Sequence, residues 1–372
     1  GHRSHIYSIS WSKNNKFLAS GSSDTTLRIW DSVTGRQIGV IGGLTGAVEH
    51  LRFSPCGFFL AAFDKMNRLV VLDIRAGHEI FKMNAHRAPC TTLAWSFCCR
   101  YICTGSNDRS CVVWHLGERF SPDSTDSATE HDTDNKTHAW EESIVDWDRL
   151  GDAEAKQSDP LYEMSTQTAS IVARLKGHTH RITAITFHPD GLSIVTGAKD
   201  GTMRLWNTHT GQLVNVIFDF NAATFDNTVE YRGFVTELLA WCPDGRFLAC
   251  SAVRFTYGEV HVWDAEKGAR IEVLKVSNST HSHQERVPTS ITWKSASTLN
   301  STASRQLATG YSDGTVQIWE LFLRDNDIDR AANSGLVVDT SPHGMAVTSV
   351  ALSKDGSTLE SCSFDRSIKL WD

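Results

Sequence analysis

The chain has 372 residues, 40% of them hydrophobic and 21% charged, with a formal net charge of −7. That is enough for one large domain or two smaller ones, with the balance of a soluble globular protein. The net acidity argues against nucleic acid as a partner. The longest apolar stretches, such as Leu69-Val70-Val71-Leu72, fall far below the ~20 residues that span a bilayer, so no membrane partner is expected either. Residues 1–20 lack the basic start and apolar block of a secretory signal. The nine cysteines show no CxxC or Cys/His metal spacing, and Cys103, Cys111 and Cys250 lie in apolar runs. They are expected to be reduced and buried, in a cytoplasmic or nuclear protein.

The first segment opens "GHRSHIYSISWS" (1–12), a Gly-His turn followed by strand-like sequence, and continues into "LASGSSDTTLRIWD" (18–31). The second carries "LAAFDKMNRLVVLD" (60–73) and the third "ICTGSNDRSCVVWH" (102–115). A stretch rich in Ser, Thr, Asp and Glu fills 117–168. The fourth segment is the best formed. Within "GHTHRITAITFHPDG" (177–191), the run "RITAITF" alternates apolar and polar residues as a half-buried strand does, and Asp190-Gly191 marks a turn. "SIVTGA" and "TMRLWN" read as two strands around Lys199-Asp200-Gly201, and "QLVNVIF" as a fourth. The fifth, sixth and seventh segments carry "LACSAVRFTYGEVHVWD" (248–264), "LATGYSDGTVQIWE" (307–320) and "LESCSFDRSIKLWD" (359–372).

Five of these seven segments share a Ser or Thr, an Asp four residues later and a Trp six residues after that. The corresponding positions are Trp30, Leu72, Trp114, Trp206, Trp263, Trp319 and Trp371, spaced by 42, 42, 92, 57, 56 and 52 residues. Four short strands per repeat, with a GH…WD signature, resemble the WD40-repeat family. The resemblance covers nearly all of the chain outside 117–168. It implies an all-β fold: a seven-bladed β-propeller of four-stranded antiparallel blades. The blades are expected at about 1–41, 42–83, 84–116 with 169–176, 177–217, 218–274, 275–340 and 341–372. "FSPDS" (120–124) and "SIVDWD" (143–148) imitate pieces of a further blade, but no strand-like sequence precedes the first or follows it. The stretch 117–168 is therefore read as a disordered insertion in blade three. Related chains draw the closing strand of the last blade from residues before the first Gly-His. Here Gly1-His2 opens the chain and Trp371-Asp372 closes it. A three-stranded last blade and a fragment of a longer protein are the expectation.

His178, Thr196 and Asp200 resemble a hydroxyl–His–carboxylate catalytic set. The trio recurs as His2/Ser20/Asp24, His86/Thr104/Asp108 and His343/Ser361/Asp365, with a weaker form at His283/Thr309/Asp313. An enzyme needs one such site, whereas recurrence at the repeat period argues for structure. In the family resembled, a hydrogen-bond chain runs from Asp through His and Ser/Thr to Trp. This implies structural sets completed by Trp30, Trp114, Trp206 and Trp371, with Thr309, Asp313 and Trp319 in blade six. Blade two has Leu44, Ala62, Met66 and Leu72 at the four places, and blade five keeps Trp263 with Cys250 at the hydroxyl place. Those two blades are expected to rely on apolar packing.

Segment 117–168 holds 14 acidic and 4 basic residues, a net of −10 against −7 for the whole, so the remainder is net +3. By register, Arg3, Lys65, Arg87, Arg109, Arg181, Lys199 and Arg366 point to one rim, opposed by Glu285. Arginine arrays grip carboxylates and phosphates bidentately. The expected function is non-catalytic docking of partner proteins, whose segments are acidic or phosphorylated, by a propeller that is itself monomeric within a complex. Two other classes stay open. One is a recognition module of a larger chain, such as a nucleotide-dependent signalling protein. A ubiquitin-ligase substrate receptor is a variant of this, for which Asp73-Ile74-Arg75 is a faint sign. The other is an enzyme using the central channel. No phosphate loop, HExxH or GxSxG motif occurs, and His281 and His283 have no Cys or carboxylate set beside them, so no cofactor or metal is expected.

Overall fold

The computed structural model describes residues 1–12, 16–42, 44, 46–74, 78–84, 86–117, 169–219, 235–254, 257–265, 268–274, 286–294, 304–322, 335–352, 358–365 and 367–371. The strands form seven antiparallel sheets, the blades of a β-propeller, with no helix among the described residues. The chain divides into two compact units.

The first unit, residues 1–177 with 208–211, holds blades one to three. Blade one is β1 (Ile6–Trp11), β2 (Phe17–Ser22), β3 (Leu27–Asp31) and β4 (Gln37–Ile41). Blade two is β5 (Val48–Phe53), β6 (Phe59–Asp64), β7 (Arg68–Asp73) and β8 (His78–Asn84). Blade three is β9 (Cys90–Trp95), β10 (Tyr101–Ser106), β11 (Ser110–His115) and β12 (Ser170–Lys176). β11 pairs directly with β12, with Ser110 opposite Lys176 and His115 opposite Ser170. The expected insertion at 117–168 falls between these strands and lies outside the described residues apart from Gly117.

The second unit, residues 178–207 and 212–372, holds blades four to seven. Blade four is β13 (Ile182–Phe187), β14 (Ser193–Ala198), β15 (Thr202–Asn207) and β16 (Leu213–Asp219). Blade five is β17 (Leu239–Trp241), β18 (Phe247–Arg254), β19 (Tyr257–Asp264) and β20 (Ala269–Leu274). Blade six is β21 (Pro288–Trp293), β22 (Ser304–Tyr311), β23 (Val316–Phe322) and β24 (Gly335–Thr340). Among the described residues blade seven has three strands, β25 (Val347–Leu352), β26 (Leu359–Ser363) and β27 (Ile368–Trp371).

Alternation of side chains explains why the inner strands read as continuous apolar runs. All six residues of β6, Phe59-Leu60-Ala61-Ala62-Phe63-Asp64, are buried. Phe59, Ala61 and Phe63 join a cluster with Leu93, Trp95 and Ile102 of blade three. Leu60 and Ala62 point the other way, to Ala19, Leu27 and Ile29 of blade one. A strand buried on both faces needs no polar alternation. The second unit repeats the arrangement between blades four and five, five and six, and six and seven. Each large aliphatic side chain so buried contributes about 1.5–3 kcal/mol.

Two details recur. In all six four-stranded blades the pairing of third with fourth strand slips at the Trp place, for example between Ile29 and Trp30 or Ile318 and Trp319. Such bulges add twist. In blades one, three, four and six a glycine follows the hydroxyl position on the second strand. A Cβ on Gly197 would sit 2.8 Å from Thr236 Cγ2, and one on Gly310 2.6 Å from Val347 Cγ1.

Candidate functional site

The recurring polar residues meet at the turns leading into the blades. In blade four His178 Nδ1 lies 2.9 Å from Asp200 Oδ2, its Nε2 2.7 Å from Thr196 Oγ1, and Trp206 Nε1 donates to the same Oγ1 at 2.8 Å. Blade one gives 3.0, 2.7 and 2.8 Å for His2–Asp24, His2–Ser20 and Trp30–Ser20. Blade three gives 3.1, 2.9 and 3.3 Å for His86–Asp108, His86–Thr104 and Trp114–Thr104. Blade seven gives 2.9, 2.8 and 3.1 Å for His343–Asp365, His343–Ser361 and Trp371–Ser361.

Chemistry fixes the direction of these chains. An indole N–H only donates and a carboxylate only accepts. With a neutral imidazole, the hydroxyl therefore accepts from Trp and donates to Nε2, while Nδ1–H donates to Asp. Every member is used. The hydroxyl residues Ser20, Thr104, Thr196 and Ser361 are at most 3% exposed, so their oxygens are braced inside the blades rather than presented for attack on a substrate.

Two further donors converge on each carboxylate. The backbone N–H after the His donates to it from Arg3, Arg87, Thr179 and Gly344 at 2.8, 3.1, 2.9 and 3.2 Å. A hydroxyl two residues beyond the Asp donates from Thr26, Ser110, Thr202 and Ser367 at 2.6–2.7 Å. Sequence reasoning missed these hydroxyls, although the spacing Asp-x-Ser/Thr was available in every copy. Burial works against the charge on Asp200, but His178, the Thr202 hydroxyl and the Thr179 N–H together hold its pKa well below the usual carboxylate range. For Asp24, burial is outweighed by the Thr26 hydroxyl, the Arg3 N–H and His2. Burial lowers the pKa of His86 despite the opposing Asp108.

Blade six departs from its expected set. Thr309 Oγ1 lies 3.2 Å from the hydroxyl of Tyr311, and Asp313 pairs with Arg286. Trp319 Nε1 does not bond Thr309. The fully buried Tyr311 occupies β22 two residues beyond the hydroxyl place, where blades one and three have Ser22 and Ser106. His281, His283 and Glu285 lie outside the described residues. In blade two Leu44, Ala62 and Leu72 sit in an apolar cluster and Met66 is exposed. Its turn is held instead by buried Asp64, which accepts the N–H groups of Met66 and Arg68 at 2.9 and 3.1 Å and pairs with the Arg68 guanidinium at 3.2 Å. In blade five Trp263 Nε1 donates to Cys250 Sγ at 3.3 Å.

The turns also set the edge of each blade. The N–H just before the turn Asp donates to a carbonyl three residues after the His place: Ser23 to His5, Lys65 to Ala47, Asn107 to Pro89, Lys199 to Arg181, Ser312 to Val287 and Phe364 to Ala346, at 2.8–3.1 Å. On these turns Arg3, Lys65, Arg87 and Arg109 of the first unit are exposed, and so, within the second unit, are Arg181 and Lys199. None of the six forms an ion pair with a described residue. Arg366 lies outside the described residues. Arg109 has a left-handed backbone, φ 69°, where blades four and six have Gly201 and Gly314.

Other sequence features fall away from this edge. Asp73 ends β7, Ile74 is buried, and Arg75 lies outside the described residues. All nine cysteines are free, and no cluster of three or more metal-ligating side chains occurs among the described residues.

A family model described as "WD domain, G-beta repeat" matches residues 1–31, 77–115, 169–207, 274–320 and 336–372. A guanine nucleotide-binding protein subunit beta of Oryza sativa subsp. indica is 25% identical over 336 residues, covering 86% of this chain and 81% of that protein. The target of rapamycin complex subunit wat1 of Schizosaccharomyces pombe is 26% identical over 211 residues, 57% of each chain. A chain in a crystal structure of the mitotic checkpoint complex superposes with a TM-score of 0.65 at 16% identity, covering 98% of this chain and 89% of that one.

Proposed function

The chain belongs to the WD domain, G-beta repeat family, and on that basis we propose that it is a protein-interaction scaffold whose blade-entering turns dock acidic or phosphorylated segments of partner proteins. The observation that carries this reading is that Arg3, Lys65, Arg87 and Arg109 in the first unit, and Arg181 and Lys199 in the second, are exposed on blade-entering turns and without an ionic partner among the described residues. Guanidinium groups grip carboxylates and phosphates through paired hydrogen bonds. The buried sets beneath brace the turns of blades one, three and four, so the backbone that carries these side chains loses less freedom on binding. Arg366 extends the same register.

Relatives named as subunits support a scaffold that acts inside a complex. Nine free cysteines fit a reducing compartment such as cytoplasm or nucleus. The test is an array of acidic, phosphorylated and neutral peptides probed with the intact chain and with an Arg87→Glu, Arg181→Glu variant. The reading expects bound peptides rich in Asp, Glu or phosphoserine, lost in the variant. Equal binding by both proteins would overturn it.

A further inference from the structure

Blades two and three pass from first to second strand through Ser54-Pro55-Cys56-Gly57-Phe58 and Ser96-Phe97-Cys98-Cys99-Arg100. The two turns share one geometry. Gly57 N–H donates to Ser54 O at 2.9 Å and Cys99 N–H to Ser96 O at 3.0 Å. The hydroxyls of Ser54 and Ser96 accept the N–H groups of Phe59 and Tyr101 at 3.1 and 2.9 Å. The fourth residue of each turn has a left-handed backbone, φ 80° at Gly57 and 60° at Cys99. Gly191 and Gly245 hold this place in blades four and five, with φ 73° and 76°. A residue with a Cβ is uncommon in that conformation.

The position faces the preceding blade. A Cβ on Gly245 would lie 2.7 Å from His188 Nε2 of blade four. In blade three the same direction carries Cys99 Sγ to the turn of blade two, where it accepts the N–H of Cys56 at 3.2 Å. The Cys99 Sγ also lies 3.9 Å from Phe97 O. Ser54 Oγ lies 3.1 Å from the Cys56 sulfur. Cys99 is fully buried, whereas Cys56 is partly open to solvent. The Cys99 thiol, the Ser54 hydroxyl and the N–H groups of Phe58 and Cys56 favour the Cys56 thiolate by more than burial opposes it. The closeness of Cys56, with burial, keeps Cys99 protonated. The turns thus hold a reachable nucleophilic sulfur against a sheltered thiol on the neighbouring blade.

We propose that Cys56 and Cys99 form an oxidisable thiol pair that joins blade two to blade three by a disulfide when the chain meets a hydroperoxide. The Cys56 thiolate attacks the terminal peroxide oxygen. An S–O bond forms, the O–O bond breaks, and the departing oxygen takes a proton and leaves as alcohol or water. The Cys99 thiol then attacks the Cys56 sulfenic sulfur. The S–S bond forms, the S–O bond breaks, and the thiol proton leaves with the hydroxyl as water. Two thiols lose two electrons together and the hydroperoxide gains them. Cys98, held by Ser96 Oγ at 3.3 Å, takes no part.

The test treats the intact reduced chain with hydrogen peroxide, blocks remaining thiols by alkylation and maps a non-reduced digest by mass spectrometry. The expected product is a Cys56–Cys99 cross-linked peptide pair, reversed by dithiothreitol, formed equally in Cys98→Ser and absent from Cys56→Ser. A Cys98–Cys99 product instead, or no Cys56–Cys99 product from wild-type chain that keeps its β-sheet circular dichroism, would overturn the proposal.

Discussion

The indole nitrogen of Trp263 donates to the sulfur of Cys250 at 3.3 Å, deep in blade five, where both residues are fully buried. Four other blades place a Ser or Thr oxygen at that point, itself bonded to a histidine. Sulfur accepts weakly but satisfies a donor that would otherwise be stranded in the core. Cys250→Ala should lower the unfolding free energy by about 1–3 kcal/mol, and Cys250→Ser by less, because an acceptor remains. Urea unfolding followed by tryptophan fluorescence checks both values.

Asp200 links stability to acidity. Its pKa lies lower in the folded chain than in the unfolded one, so the unfolded chain binds more protons near the ordinary carboxylate value of about 4. The contribution is complete above that pH and is lost as the pH falls toward the folded value. Asp200→Asn should cost about 1–3 kcal/mol at neutral pH and flatten the loss of stability below about pH 4. Urea midpoints across that range give the measurement.

Thr202 supports the same carboxylate through its hydroxyl at 2.7 Å. Thr202→Ala should cost about 0.5–1.5 kcal/mol, while Thr202→Ser should cost little. The double variant with Asp200→Asn should lose less than the sum of the single losses, because the two side chains share one interaction. A double-mutant cycle measures the difference.

Gly310 faces β25 of blade seven, and an added Cβ would meet Val347 Cγ1 at 2.6 Å. Val347 is fully buried in the cluster between blades six and seven. Gly310→Ala should therefore destabilise the chain by about 1–3 kcal/mol through overpacking, despite the better strand propensity of alanine. A thermal melt reads this directly.

What the sequence discloses here follows from distance along the chain. The Ser/Thr, Asp and Trp positions recur at fixed short spacings in five segments, with weaker copies in two more, so the blades of a propeller could be read from them. The Asp-x-Ser/Thr hydroxyls are equally local, two residues beyond the Asp in every copy. Other features depend on packing. In blade six Tyr311 takes a place that is small elsewhere, and Arg286 pairs with Asp313. In blade two Asp64 braces the turn from two residues before the usual position. The contact of Cys56 with Cys99 joins turns 43 residues apart on different blades, and no pattern within either turn announces it.

Arg109 separates the brace beneath the turn from the side chains above it. Its neighbour Asp108 holds His86, whereas the Arg109 side chain is exposed on a left-handed backbone that glycine adopts freely. In Arg109→Gly, relief of that backbone and the greater freedom of the unfolded chain nearly offset, leaving stability within about 1 kcal/mol. The most direct measurement is calorimetric titration of the intact chain and of Arg109→Gly with one acidic or phosphorylated peptide that binds the wild type. The account predicts an unchanged melting temperature with affinity reduced about tenfold, the loss of roughly 1.4 kcal/mol of charge-assisted hydrogen bonding. Equal affinity of the two proteins for that peptide would contradict it.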